Sequence, residues 1–356
     1  MKSPFLYIVP LALISLIMGV IGGWIRLGWG ISFFNPVPVS QHGVFMVGGF
    51  LGTLVSLERV VTFHKPALFL IPFSFGISVL TFLTGHAPAS HILLMAGSIG
   101  YLVVCFVIFR KFKNEGDFLL ALGAVFQFTG HFVLYKTQSY PMAFAAWMLF
   151  FLFTIVGERL ELSRFLPRKK FQKTELYFWL ITISVSAALY HYGTSFILNI
   201  SIIGLATWLL RNDISIINLK KQGSYKFLGI SLLAGFCWLI ITGLLGFSES
   251  PLKYDALLHA FFIGFVLNMI LAHAPIIFPA LLKINFKPFH PIFYLWLTLL
   301  NLSLLMRVSG NLLTYNSLKM TGGLINGLSF IGYLANVAIL IIKHQIYEKN
   351  YKIRSI

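Results

Sequence analysis

Ten histidines occur in the chain, and four of them, His42, His131, His191 and His259, fall toward the outer ends of four separate apolar runs. An ionisable side chain at membrane depth costs a few kcal/mol unless it is paired, ligated or hydrated. Four imidazoles from four separate apolar segments make a donor set that a metal or haem site in a bundle core requires. Neutral imidazole is the usual axial ligand of haem iron and a good ligand for copper. No Cys-x-x-Cys-His motif is present, so any haem would be of the b type, held without thioether bonds.

Two of these segments are the most informative. In Gln41-His42-Gly43-Val44-Phe45-Met46-Val47-Gly48-Gly49-Phe50-Leu51-Gly52-Thr53, helical spacing puts His42, Met46, Gly49 and Thr53 on one stripe. The glycines there remove bulk beside the imidazole, and a flat cofactor could approach closely. Small-residue helix packing with a hydrogen-bonded histidine is the alternative reading of the same stripe. The segment Leu257-Leu258-His259-Ala260-Phe261-Phe262-Ile263-Gly264 supplies a second histidine at similar depth. Arg26 and Arg307 stand where they could pair with haem propionates or snorkel to headgroups. His131 and His191 mark a second position, for copper or another metal. His273, fourteen residues after His259, falls roughly 21 Å deeper and is assigned to carbonyls freed near Pro275 and Pro279. His86 and His91 are expected to be solvated in a short loop, and Asn268 to bridge helices.

The elements that must carry these residues follow from composition. Of the 356 residues 58% are hydrophobic and 10% charged, at a mean hydropathy of +0.86, whereas a soluble surface needs about a quarter charged residues. Soluble, disordered and nucleic-acid-binding classes are excluded. Apolar runs lie near residues 4–27, 40–61, 66–85, 91–109, 117–135, 141–159, 176–192, 195–210, 226–246, 255–281, 289–308 and 320–343. These predict an all-α membrane protein of about twelve transmembrane helices, a single polytopic domain over 1–356 whose first partner is the lipid bilayer. The seventh and eighth runs are short and could form a hairpin of tilted or partial helices. Of the 27 Lys and Arg, 22 fall on one set of alternating connections, which predicts cytoplasmic termini and a bacterial inner membrane. The net charge of +17 is thus a topology signal. Cys105 and Cys237 both lie in apolar runs and read as buried hydrophobes. Leu57-Glu58-Arg59-Val60 and Gly157-Glu158-Arg159-Leu160 end spans 2 and 6 alike, suggesting three repeats of four helices. All ten acids lie at span ends or in connections, which weighs against an ion-coupled transporter.

Trp24-Ile25-Arg26-Leu27-Gly28, the His42-Gly43-x-x-Met46 opening of span 2, and His259 followed by Phe278-Pro279 resemble helices I, II and X of the haem-copper oxidase large subunit. The resemblance implies that His42 and His259 are the axial ligands of a low-spin haem and that Arg26 lies beside it. Tyr190-His191-Tyr192 is loosely similar to the copper-binding histidine pair of helix VII. The chain departs from that family in three places: span 6 has no histidine, Leu257 stands at the first position of the family's His-x-His, and only one histidine stands at the helix VII pair. Oxygen reduction and proton pumping are therefore not implied. Length, layout and scattered histidines are also similar to the NnrS family of haem- and copper-containing membrane proteins associated with the response to nitric oxide. The sequence thus predicts an integral-membrane haem b protein, with copper or a second metal site, in a redox or nitric-oxide-related role and served by a membrane or periplasmic electron donor. The rival classes are a transporter or channel for a small solute, with glycine-rich spans 2 and 4 lining a path, and an assembly subunit whose histidines only pack.

Overall fold

The computed structural model describes residues 5–32, 36–167, 169–190, 193–282 and 284–354. No strand occurs among them. The chain divides into two compact units, Met1–Phe165 and Leu166–Ile356. Among the described residues each unit holds six long helices.

The first unit comprises α1 (Phe5–Arg26), α2 (His42–Val61), α3 (Pro66–Leu83), α4 (Ala87–Phe112), α5 (Glu115–Thr137) and α6 (Tyr140–Leu162). The second comprises α7 (Lys170–Ala188), α8 (Ser195–Asn212), α9 (Ser224–Leu245), α10 (Lys253–Ala280), α11 (Ile292–Leu312) and α12 (Asn316–Arg354). Eleven of the twelve are long and apolar enough to cross a membrane. The exception to the twelve expected spans is α7. Its first turns carry Lys170, Lys173 and Glu175, and its start is tied by polar contacts to the end of α8. Gln172 Nε2 donates to Asn212 Oδ1 at 2.7 Å, Trp208 Nε1 to the Gln172 carbonyl at 2.7 Å, and Arg211 pairs with Glu175. The Lys169 N–H donates to Gln172 Oε1 at 2.7 Å, which starts this helix six residues before the apolar run.

The outward faces explain the composition. On α4, Ile92, Ile99, Val103 and Phe106 are all about half exposed and form one helical stripe. Such a continuous apolar surface is a liability in water and normal against lipid. Cys237 belongs to this outer surface, contrary to the expectation of burial, whereas Cys105 is buried; both are free thiols.

Within the first unit the helix pair α5 and α6 meets backbone to backbone. A Cβ on Gly116 would lie 2.7 Å from the Gly157 carbonyl oxygen, and one on Gly157 equally close to that of Gly116. Asn114 caps α5 by accepting from the Asp117 N–H at 2.7 Å, with Glu115 and Asp117 in the first turn and Lys136 in the last, complementing the helix dipole. The two Glu-Arg motifs turn out to be neighbours. Arg59 Nη2 lies 2.5 Å from Glu158 Oε1 and 3.7 Å from Glu58 Oε1. What reads in sequence as a repeat is, in space, an ion pair joining the ends of α2 and α6.

Candidate functional site

Proline and glycine set the position of His42. The single-turn helix Val37–Ser40, begun by Pro36 and Pro38, delivers the chain onto α1. There α1 has no side chains in the way: a Cβ on Gly22 would meet the Pro38 carbonyl oxygen at 2.0 Å, and one on Gly23 would meet His42 Cε1 at 3.0 Å. The imidazole lies on that glycine face, half-buried. Its Nδ1 is 2.6 Å from the Gly19 carbonyl oxygen. A neutral ring donating from Nδ1 to a carbonyl carries its lone pair on Nε2, the arrangement of a metal-ligating histidine. Tyr140 holds the adjoining backbone from the other side, its hydroxyl donating to Gln41 Oε1 at 2.8 Å while its ring rests on Gly43.

His259 is held in the same manner by different means. Its Nδ1 is 2.7 Å from the Asp255 carbonyl oxygen, one turn earlier, and 3.2 Å from Asp255 Oδ1. Asp255 is itself fixed by α11. Arg307 Nη2 reaches its Oδ1 at 3.1 Å and Asn311 Nδ2 donates to its Oδ2 at 2.7 Å. Arg307 and Asn311 are buried. The guanidinium expected to meet a haem propionate is therefore shared with Asp255, while Arg26 is exposed at the end of α1.

Both histidines stand just ahead of a π-helix: His42 three residues before Phe45–Gly52 inside α2 and His259 directly before Ala260–Leu267 inside α10. Such wide turns recur at functional sites. The residue after each segment closes it in the same way, Thr53 Oγ1 donating to the Gly49 carbonyl at 2.5 Å and Asn268 Nδ2 to that of Gly264 at 2.6 Å. Matched by their π segments, the two helices set Leu257, not His259, at the position of His42. Asn268 also bridges helices as expected, to Asn301 at 3.1 and 3.2 Å, and Asn301 accepts from Trp238 Nε1 at 2.7 Å.

The glycines of α2 do not leave a flat slot. A Cβ on Gly49 would meet Val79 Cγ2 at 2.4 Å and Ser15 Oγ at 2.9 Å, and Gly48 admits Leu94 and His131. Met46 packs its sulfur on Gly19. On that face the stripe serves helix packing, and room for a cofactor is to be sought on the Nε2 side of the ring.

His131 is buried on α5, and neither ring nitrogen has a hydrogen-bond partner. The same holds for both amide atoms of Gln127 one turn away, for Trp147 Nε1 and for Thr154 Oγ1. His131 faces Trp147, ring centroids 5.6 Å apart, and Phe75 at 6.1 Å. Buried polar atoms of this kind are normally satisfied by ordered water or a ligand. His191, expected to share a site with His131, lies outside the described residues. Among the described residues no group of three or more His, Cys, Asp or Glu that could hold a metal ion comes together; of the two residues expected at the second position, His131 is the described one.

Two further expectations need correction. His91 is buried, not solvated, between Phe82 at 5.2 Å and Tyr135 at 5.6 Å. The carbonyl that Pro275 frees, that of Leu271, is satisfied by Tyr333, whose hydroxyl donates to it at 2.6 Å. His273 Nδ1 instead contacts the Met269 carbonyl at 2.7 Å.

These features define an all-helical, multi-pass membrane protein. The chain belongs to the family described as Domain of unknown function (DUF8744), which matches residues 5–342. Neither a curated protein nor a solved structure matches it.

Proposed function

We propose that this chain is an integral-membrane b-type haem protein with a redox or nitric-oxide-related role, and that His42 in the first unit and His259 in the second are each iron-ligating histidines. The observation that carries the reading is the shared setting of the two imidazoles. Each is oriented by an Nδ1 contact to a main-chain carbonyl, 2.6 Å from Gly19 and 2.7 Å from Asp255, and a π-helix follows each, three residues after His42 and directly after His259. Neutral imidazole with its proton fixed on Nδ1 is the donor that haem iron takes, so the residues present fit the group. A haem held by imidazole would supply one-electron transfer, and chemistry on a diatomic gas would need a second metal with an open position. Copper, with His131 as its described donor, belongs to the reading only as that second position. The resemblance to haem-copper oxidases in spans 1, 2 and 10 points the same way and extends the proposal to four-helix repeats, cytoplasmic termini, a bacterial inner membrane and a membrane or periplasmic electron donor.

The test is a reduced-minus-oxidised spectrum of the purified protein from haem-supplemented cells. Sharp bands in wild type, diminished in both His42→Ala and His259→Ala, are expected; a colourless wild type overturns the proposal. A transporter for a small neutral solute is the second reading. It draws on the unpartnered polar atoms of Gln127, His131, Trp147 and Thr154 in the first unit, and uptake into proteoliposomes by a colourless protein would favour it.

A further inference from the structure

Asp255 is an acid that composition and span boundaries alone would assign to a loop end. In space it is the hub of three polar side chains. His259 Nδ1 lies 3.2 Å from Oδ1, Arg307 Nη2 lies 3.1 Å from the same oxygen, and Asn311 Nδ2 donates to Oδ2 at 2.7 Å. The spacing Asp255-x-x-x-His259 puts acid and imidazole one helical turn apart on α10, and Arg307 and Asn311 share one face of α11 by the same spacing. At His42, Nδ1 meets the Gly19 carbonyl at 2.6 Å.

Resting on the haem reading above, we propose that Asp255 is a positioning residue that sets the donor strength of His259, with Arg307 as the opposing charge. A carboxylate on the N–H side of a ligating imidazole pulls that proton toward itself and makes the ring a stronger donor. The negative charge also favours the more positive, ferric form of a ligated iron. Arg307 offsets both effects by drawing on the same oxygen. Asn311 fixes the orientation of the carboxylate without changing its charge. The Asp255 carbonyl holds the ring at 2.7 Å independently of the side chain. Orientation and donor strength are thereby separated: removing the charge leaves the ring in place.

The experiment is a redox titration of the purified, haem-loaded full chain followed at its absorption bands. Asp255→Asn keeps the shape and the Asn311 neighbourhood and removes the charge. It is expected to raise the midpoint potential by at least a tenfold shift in the ferric/ferrous equilibrium, about 59 mV for one electron. Arg307→Gln leaves the carboxylate uncompensated and is expected to lower the potential. Asp255→Glu is expected to return it toward wild type. A purely structural clamp between α10 and α11 would give shifts of one sign for both variants, or none, and either result overturns the proposal while leaving the haem reading standing. Should Asp255→Asn fail to fold, Arg307→Gln against Arg307→Lys decides alone: a potential that does not fall in the glutamine variant refutes it. A colourless wild type overturns the haem reading and this role with it.

Discussion

Gly22→Ala tests how the protein holds His42. A methyl group at Gly22 would lie 2.0 Å from the Pro38 carbonyl oxygen and 2.5 Å from its carbon, where ordinary contact begins at 3.4 Å. The obstacle is backbone, so no rotamer change relieves it. The Val37–Ser40 turn must retreat from α1 by about 1.4 Å, the difference between 3.4 and 2.0 Å. His42 follows directly in the chain. If the shift is transmitted in full, its 2.6 Å contact with the Gly19 carbonyl stretches to about 4 Å, beyond the roughly 3.2 Å limit of a hydrogen bond. Overpacking costs about 1–3 kcal/mol and the lost hydrogen bond about 1 kcal/mol. The total of about 2–4 kcal/mol corresponds to a fall of roughly 4–16 °C in Tm for a unit of this size. Thermal unfolding in detergent, followed by tryptophan fluorescence, measures it. Gly30→Ala is the control, because nothing lies within 4 Å of a Cβ built there. A Gly22→Ala protein that melts within about 1 °C of wild type would refute the close-approach argument.

Two further outcomes follow from the first unit. Arg59→Met leaves Glu58 and Glu158 facing each other without their shared cation, and removing the charged partner of this half-buried pair costs about 1–3 kcal/mol. In a double-mutant cycle with Glu158→Gln, the coupling should exceed about 0.5 kcal/mol, and a coupling near zero would show the two Glu-Arg ends to be independent. Gln127→Leu removes two unpartnered buried amide atoms, so its Tm should equal or exceed that of wild type; a loss above about 1 kcal/mol would instead reveal an occupant that the amide binds.

The parts of this molecule that were legible in sequence are those that depend on periodicity and charge. The apolar runs predict helices that the structure shows, and one of the two short runs, the seventh, is the one whose helix fails to qualify as a span. There, Gln172, Glu175 and their partners on α8 decide where the helix starts, and a hydropathy pattern does not register such pairings. The π-helices were not legible, because in Phe45–Gly52 and Ala260–Leu267 nearly every residue is apolar or glycine. A widened turn leaves no phase mark in a uniform run. His42 and His259 were found because imidazole is costly at depth. Asp255 was missed because sorting acids by boundary hid its i, i+4 relation to His259, although that spacing is in the sequence. The glycines of α2 were recognised as permitting close approach, but which neighbour approaches, Val79 and Ser15 at Gly49 or Leu94 and His131 at Gly48, depends on helices distant in the chain.

The two π segments bear most directly on the origin of the histidine settings. A π-turn is held by weaker geometry than the α-turns around it and persists where surrounding contacts over-determine it. In α2 those contacts are Thr53 on the Gly49 carbonyl and Tyr140 on Gln41; in α10 they are Asn268 on the Gly264 carbonyl, with Asn268 fixed in turn by Asn301. The chain therefore stabilises the same departure from α-geometry twice, in two separate units, beside an oriented imidazole each time. The two imidazoles stand at different offsets, three residues before one π segment and directly before the other, so simple duplication of a histidine motif does not account for both. A common demand on where each imidazole is presented, such as the iron ligation proposed above, would account for the pairing of π-turn and ring.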